Sequence, residues 1–311
     1  MSWILLAAAA QLILAVVALV DKFIVSDERA LPKPFVYAFY TCLISGAWIL
    51  VYVVGLIPLP WHFSSIPSFS NVEKPTLEIV ALAFLAAYTF FLALVSMFNA
   101  LKQADASDVV PVVGAVSALA SFGLGYFFLG TQLSHNFIWG IVLLSLGTFL
   151  VSRLRFPLKV AALSIHAGLF FALHYVSIKG LFLMTTFDNG FFWSRVAFML
   201  FALSLLLVPI YYEKIVVHTK AAGKSAGPLI LLNKIIAGVA TILVLKATDL
   251  GDVAVVQALG GLQFVFILIL GLLFSHWFPQ SLKSEGHGKA IILQRVLFVS
   301  IIALGFLVLF E

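Results

Sequence analysis

Charge is what this sequence has least of. Only 10% of its 311 residues are Asp, Glu, Lys or Arg, against about 25% in an ordinary soluble domain. Hydrophobic residues make up 63% and the mean hydropathy is +1.16. One water-soluble core is excluded, because so much apolar surface must face lipid or other helices. Cysteine is nearly absent. The single Cys42 lies inside an apolar run and builds neither a disulfide framework nor a zinc site. No basic segment precedes the first apolar run, Trp3 to about Val20, so it reads as a spanning helix and not a cleaved signal peptide. The sequence also lacks a P-loop, an H-E-x-x-H and a G-x-S-x-G. It is therefore not expected to be an enzyme, to hold a cofactor or metal, or to drive transport by its own ATP hydrolysis. The net charge of +5 comes from basic residues in short loops between apolar runs, so no nucleic-acid partner is expected.

What is present is a series of long apolar runs. A spanning helix needs about 20 mostly apolar residues. Ten segments qualify, at roughly 3–24, 33–57, 76–101, 108–129, 135–152, 160–183, 189–211, 227–247, 253–275 and 290–310. They are too long for barrel strands and lack alternation with a period of two. The expectation is an all-α integral membrane protein in the plasma (inner) membrane. Two loops are longer than the rest. In Pro58 to Pro75, Trp61, His62 and Phe63 suit the headgroup level, and Phe278 to Lys289 is polar.

One motif occurs twice. Leu101-Lys102-Gln103-Ala104-Asp105-Ala106-Ser107-Asp108-Val109 returns as Leu245-Lys246-Ala247-Thr248-Asp249-Leu250-Gly251-Asp252-Val253, 144 positions later. Both copies join two apolar runs. Ten runs divide into five and five, giving halves 1–152 and 160–311 joined by a linker, 153–159. Five is odd, so the second half enters from the opposite face. The expected architecture is two inverted five-helix repeats around a central cavity, as in alternating-access transporters. Other positions align. Lys22 and Lys179 lie near the ends of the first and sixth runs. Thr41 matches Arg195, Thr89 matches Asn233, and Phe90 matches Lys234. Asp108 and Asp252 precede apolar runs and are expected to cap helices, with Asp105 and Asp249 pairing Lys102 and Lys246.

The order of these features resembles the EamA-like branch of the drug/metabolite transporter superfamily. The residues that carry it are Ala100 to Ser107 at the first hinge and Phe128-Leu129-Gly130-Thr131-Gln132-Leu133 after the fourth run. Gly140 and Gly147 in the fifth run and Tyr175 to Lys179 ending the sixth also fit. Where such proteins often have Glu-Arg after the fourth run, this chain has Thr131-Gln132, and the second-half counterpart at Phe274-Ser275-His276-Trp277 departs altogether. The resemblance implies ten helices, a cavity between the halves, and export or exchange of small polar metabolites.

Ionisable groups inside spans cost about 2.5–3.5 kcal/mol at a helix centre, so they mark candidate sites. Arg195 and Lys234, with Asn233 beside it, are the expected ligands for a negative group on the substrate. Arginine can bind a carboxylate or phosphate through two parallel hydrogen bonds. A structural arginine bonded to carbonyls is the plainer alternative. His166 and His174 are eight residues apart, about 80° around a helix, and could both face a lumen. Packing histidines are the alternative to proton coupling. Gln257 and Tyr88, with Asn99, Ser117, Ser121 and Gln263, are neutral candidates for the lining. Arg295, with Gln294, reads as interfacial. No carboxylate is expected well inside a span. The cavity should therefore be positive, and the substrate anionic or zwitterionic, such as an amino acid or organic acid. Expected partners are that substrate, the bilayer, and a coupling ion or counter-substrate.

Orientation gives two answers. The face with loops 1–2, 3–4, 5–6, 7–8 and 9–10 takes 13 basic residues, and the other face takes 3. The positive-inside rule then puts both termini outside, whereas the resemblance implies both inside. Two rival functions remain at this point: a flippase for a lipid-linked group on the same fold, and a membrane enzyme or sensor subunit.

Overall fold

A computed structural model describes residues 2–26, 33–54, 67–151, 157–221, 226–273 and 289–308. Several expectations fall outside them: Trp61, His62 and Phe63, most of the 153–159 linker, Phe274 to Trp277, the loop from Phe278 up to residue 288, and the side chains of Gln294 and Arg295.

The described chain is helical, with no strand. The helices are α1 (Ser2–Ser26), α2 (Pro34–Ala47), α3 (Val51–Val54), α4 (Leu77–Gln103), α5 (Ala106–Leu124), α6 (His135–Val151), α7 (Leu158–Met184), α8 (Phe187–Leu205), α9 (Pro209–Ala221), α10 (Ala226–Leu250), α11 (Val253–Ala258), α12 (Gly261–Leu273) and α13 (Lys289–Val308). Seven spans are long and apolar enough to cross a bilayer, or up to eight if α8 and α9 count as one, among the described residues. This is a multi-pass membrane protein. The helix α6, with 17 residues, is shorter than a standard span, and the expected run 290–310 continues past the described residues. The run expected at 189–211 is broken. Its helix ends at Leu205, and α9 leaves at 93°. Pro209 explains the break: proline offers no N–H to continue a helix but fits the first turn of a new one.

Local chemistry sets the other boundaries. Thr76 caps α4 by accepting from Ile79 N, and Thr186 caps α8 by accepting from Asn189 N. The end of α5 tightens into a π-turn, Gly125–Leu129, closed by Gly130 at φ 64°, where only glycine avoids a Cβ penalty. At the first hinge α5 starts earlier than expected, so Asp105 takes the cap position and Asp108 falls in the first turn. At the second, Asp252 accepts from Ala254 N (2.7 Å) and Val255 N (3.2 Å) as a true cap. Burial raises its carboxyl above the ordinary range, partly countered by those two N–H groups and by Lys179. Lys246 pairs with Asp249 at 2.8 Å.

The packing that matters is between early and late helices. Helix α1 lies along α10, α4 along α7, α2 across α8, and α5 against α7 and α11. Two glycines permit close approaches at the α2–α8 and α2–α10 crossings. A Cβ on Gly46 would meet the Met199 backbone at 2.7 Å, and one on Gly238 would meet the Trp48 indole at 1.7 Å. The largest buried side chains include Tyr37, Phe98, Phe191 and Phe198.

Candidate functional site

Between these helices lies a cavity of about 170 Å³. Its wall is divided by chemistry. Phe90, Leu94, Met97, Val113, Phe171 and Tyr175 give it an apolar side. The polar side draws Gln11 and Asp21 from α1, Thr41 and Ser45 from α2, Lys234 and Thr241 from α10, and Gln257 and Gln263 from α11 and α12.

Lys234 does line the cavity, but it is not a free cation. Its Nζ lies 2.7 Å from Asp21 Oδ1, and the side chains are 4% and 5% exposed. The same oxygen accepts from Asn233 Nδ2 at 2.6 Å and from the Tyr37 hydroxyl. The ammonium also sits 4.5 Å from the Tyr37 ring centroid and 5.3 Å from that of Phe98, at cation–π range. Asp21 thus corrects the expectation that no carboxylate lies inside a span. The α1 helix continues through Phe23, Ile24 and Val25 to Ser26, which places Asp21 more than a turn before its end. The crossing with α10 then buries it. The cavity wall carries one negative and one positive group in contact, so the expected positive lumen is replaced by a balanced one.

Arg195 faces another way. It is 2% exposed and does not line the cavity. Its guanidinium carbon lies 4.5 Å and 4.9 Å from the Phe198 and Phe191 ring centroids. Its Nη1 donates to the Ser45 carbonyl and its Nε to the Ser194 hydroxyl, both at 3.3 Å. Because Ser45 itself lines the cavity, Arg195 stands one layer behind the wall and props α2 from α8.

The histidines separate. His166 is exposed on the side of α7, paired with Ser96 Oγ at 2.7 Å and packed at a tilt against the Phe170 ring. His174 is buried among Phe90, Tyr175 and Phe198. Its Nδ1 lies 2.9 Å from the Ala86 carbonyl. A carbonyl only accepts, so Nδ1 carries the proton. Neither histidine lines the cavity, which corrects the reading of a shared lumen face. Tyr88, 49% exposed, packs its edge against Phe201 on the outside of the bundle. Asn99 bonds back to the Val95 carbonyl of its own helix, and Ser121 is buried away from the lumen.

The neutral lining is better placed. Ser117 donates to Gln257 Oε1 at 3.2 Å, and Gln263 Nε2 donates to the Leu14 carbonyl at 2.9 Å. Gln11 is 5% exposed, and its Oε1 has no hydrogen-bond partner among the described residues. A buried acceptor left unmatched costs about 1–3 kcal/mol, which singles out Gln11 among the residues lining the cavity. Asp21 and Gln11 were the residues sequence reasoning missed. The apolar triplet after Asp21-Lys22 was the signal that the helix runs on.

The model of the EamA-like transporter family matches residues 1–153. The chain belongs to the EamA-like transporter family. EamA-like proteins form part of the drug/metabolite transporter superfamily, and membership makes this chain a membrane transporter of that type. No curated protein matches it. A solved structure described only as "Crystal structure of protein" resembles it with a TM-score of 0.63 at 17% identity, covering 98% of this chain and 97% of that one. That likeness shows the shared fold and nothing of substrate.

Proposed function

We propose that this EamA-like protein is a secondary transporter for a small zwitterionic metabolite, an amino acid or close relative, working by export or exchange across the plasma (inner) membrane. Its spans form ten helices in two inverted halves, 1–152 and 160–311, which alternate access to the central cavity. Two features support the halves: the duplicated hinge, and the pairing of α1 with α10 and α4 with α7, which exchange under the repeat.

The observation that carries the substrate class is the Asp21–Lys234 pair on the cavity wall. A zwitterion brings an ammonium and a carboxylate, and can exchange one buried ion pair for two without leaving a charge unmatched. A lone organic anion would engage Lys234 but strand Asp21, and a lone cation would do the reverse. Each stranded charge carries a penalty of several kcal/mol. Gln11 Oε1 supplies a further acceptor for the ammonium. The Arg195 arrangement favours a supporting role over direct substrate contact. Transport, not catalysis, is the activity assigned, and no cofactor or metal enters it.

Counterflow in proteoliposomes, with panels of amino acids, organic acids and sugar phosphates, tests this. Zwitterions should exchange, and Asp21→Asn and Lys234→Met should each abolish that exchange. Uptake of anions alone, undiminished by Asp21→Asn, would overturn the assignment.

A further inference from the structure

The cavity leaves two buried lysines unused, and they occupy equivalent places in the repeat. Lys22 lies near the end of α1 and Lys179 near the end of α7, and they are 7% and 9% exposed. Each ammonium is spent on carbonyl oxygens at the C-terminus of another helix. Lys22 Nζ donates to the Leu101 carbonyl at 2.7 Å and the Ala104 carbonyl at 2.8 Å, where α4 ends. Lys179 Nζ donates to the carbonyls of Thr248, Asp249 and Gly251, all at 2.9 Å, where α10 ends. Ala104 and Thr248 are the same position in the two copies of the hinge motif, 144 residues apart. The match is chemical as well as positional. The last carbonyls of a helix have no intrahelical donor and sit at the negative end of its dipole. A lysine ammonium has three donors and no acceptor.

We infer that Lys22 and Lys179 are paired positioning residues that lock each hinge to the helix supplying the lysine, so that hinge and helix move as one body in the transport cycle. This rests on the alternating-access reading. The α4–α5 hinge is thereby tied to α1, and the α10–α11 hinge to α7. The two locks differ in one respect. Lys22 follows Asp21, the acid of the central ion pair, so the first hinge is one residue away from the substrate site. Lys179 follows Ile178, which is fully buried and apolar. Substrate occupancy is therefore felt at the first hinge and not at the second.

The test uses the full chain with Lys22→Ala, Lys179→Ala, Lys22→Arg and Lys179→Arg. The probes are ammonium, potassium and lithium chlorides. Losing hydrogen bonds from a charged donor should slow counterflow about tenfold or more in each alanine variant. Lys179→Ala should lower the maximal rate with KM unchanged, whereas Lys22→Ala should also raise KM. Ammonium or potassium, which fit the two or three carbonyls left by a lysine head, should raise the melting temperature of both alanine variants and restore rate. Lithium should not. Arginine should not restore rate, because its planar fork cannot place donors on oxygens that converge on one point.

Full rescue by arginine, or a melting temperature indifferent to ammonium and potassium, would overturn the inference. If an alanine variant is recovered as monodisperse protein only in ammonium, the socket is supported. Failure in every salt for both variants counts against it. The melting arm needs no substrate. Should the wild type move no solute at all, the transport reading falls while the sockets are still decided.

Discussion

Removing one charge from the Asp21–Lys234 pair should do more harm than removing both. At an effective dielectric of about 20, unit charges 2.7 Å apart attract by roughly 6 kcal/mol. Both groups are buried, and taking each out of water costs several kcal/mol. The two terms nearly cancel, so the intact pair adds little net stability. A single substitution abolishes the attraction and keeps one desolvation penalty. Asp21→Asn leaves acceptor and donor positions for Tyr37 and Asn233 but strands the Lys234 ammonium. Lys234→Met keeps the contacts with Tyr37 and Phe98 but strands the Asp21 carboxylate. Each single change should cost about 3–5 kcal/mol. The double variant should return to within about 1 kcal/mol of the wild type, because replacing a buried pair by apolar groups is often neutral. The cycle then gives a coupling energy of about 5 kcal/mol or more.

Reversible unfolding in mixed micelles, followed by circular dichroism, measures the three differences. Counterflow on the same preparations separates stability from function. The double variant should be folded and yet unable to exchange zwitterions, because its cavity has lost both charges. If the two single effects add within about 0.5 kcal/mol, the pair is not a coupled unit. If the double variant transports like the wild type, the cavity charges do not bind substrate.

Other outcomes follow from single contacts. Gly238→Val should abolish folding or freeze transport, since even a Cβ would lie 1.7 Å from the Trp48 indole; Gly238→Val with Trp48→Ala should recover protein that migrates as a single species in detergent. Arg195→Met should lower stability by about 2 kcal/mol through lost cation–π contact while leaving KM within about threefold; a much larger rise in KM would return Arg195 to the substrate. His174→Phe should leave the pH profile of counterflow unchanged between about pH 6 and 8, because the ring is buried away from the cavity and its Nδ1–H donates to the Ala86 carbonyl. A reporter fused after Glu311 should be active on the outer face if the 13-to-3 distribution of basic residues sets the topology, and activity in the cytoplasm would defeat that count.

The scale of the helices could be read from sequence because long apolar runs and their punctuation are local properties. Thr76, Thr186 and Asp252 mark helix starts by their own hydrogen bonds, and the duplicated hinge is visible without any coordinates. The direction in which a polar side chain points is not local. Arg195 and Lys234 look alike in sequence, each a cation several residues into a span. What separates them is the helix that crosses at that height. The carbonyl of Ser45 and the faces of Phe191 and Phe198 meet Arg195 and turn it away from the cavity. Asp21, 213 residues from Lys234 in the chain, meets the lysine and holds it at the cavity wall. The repeat misleads here in an instructive way. It matches Lys234 with Phe90 and Lys22 with Lys179, and so suggests that departures from symmetry mark the substrate while conserved matches mark scaffolding. The first half of that rule holds for the geometry, since Phe90 and Lys234 both line one cavity. The second half hides Asp21, whose partner under the repeat is the buried Ile178. Symmetry between halves identifies the hinges, and only the contact between α1 and α10 reveals that the acid beside one hinge lysine belongs to the site.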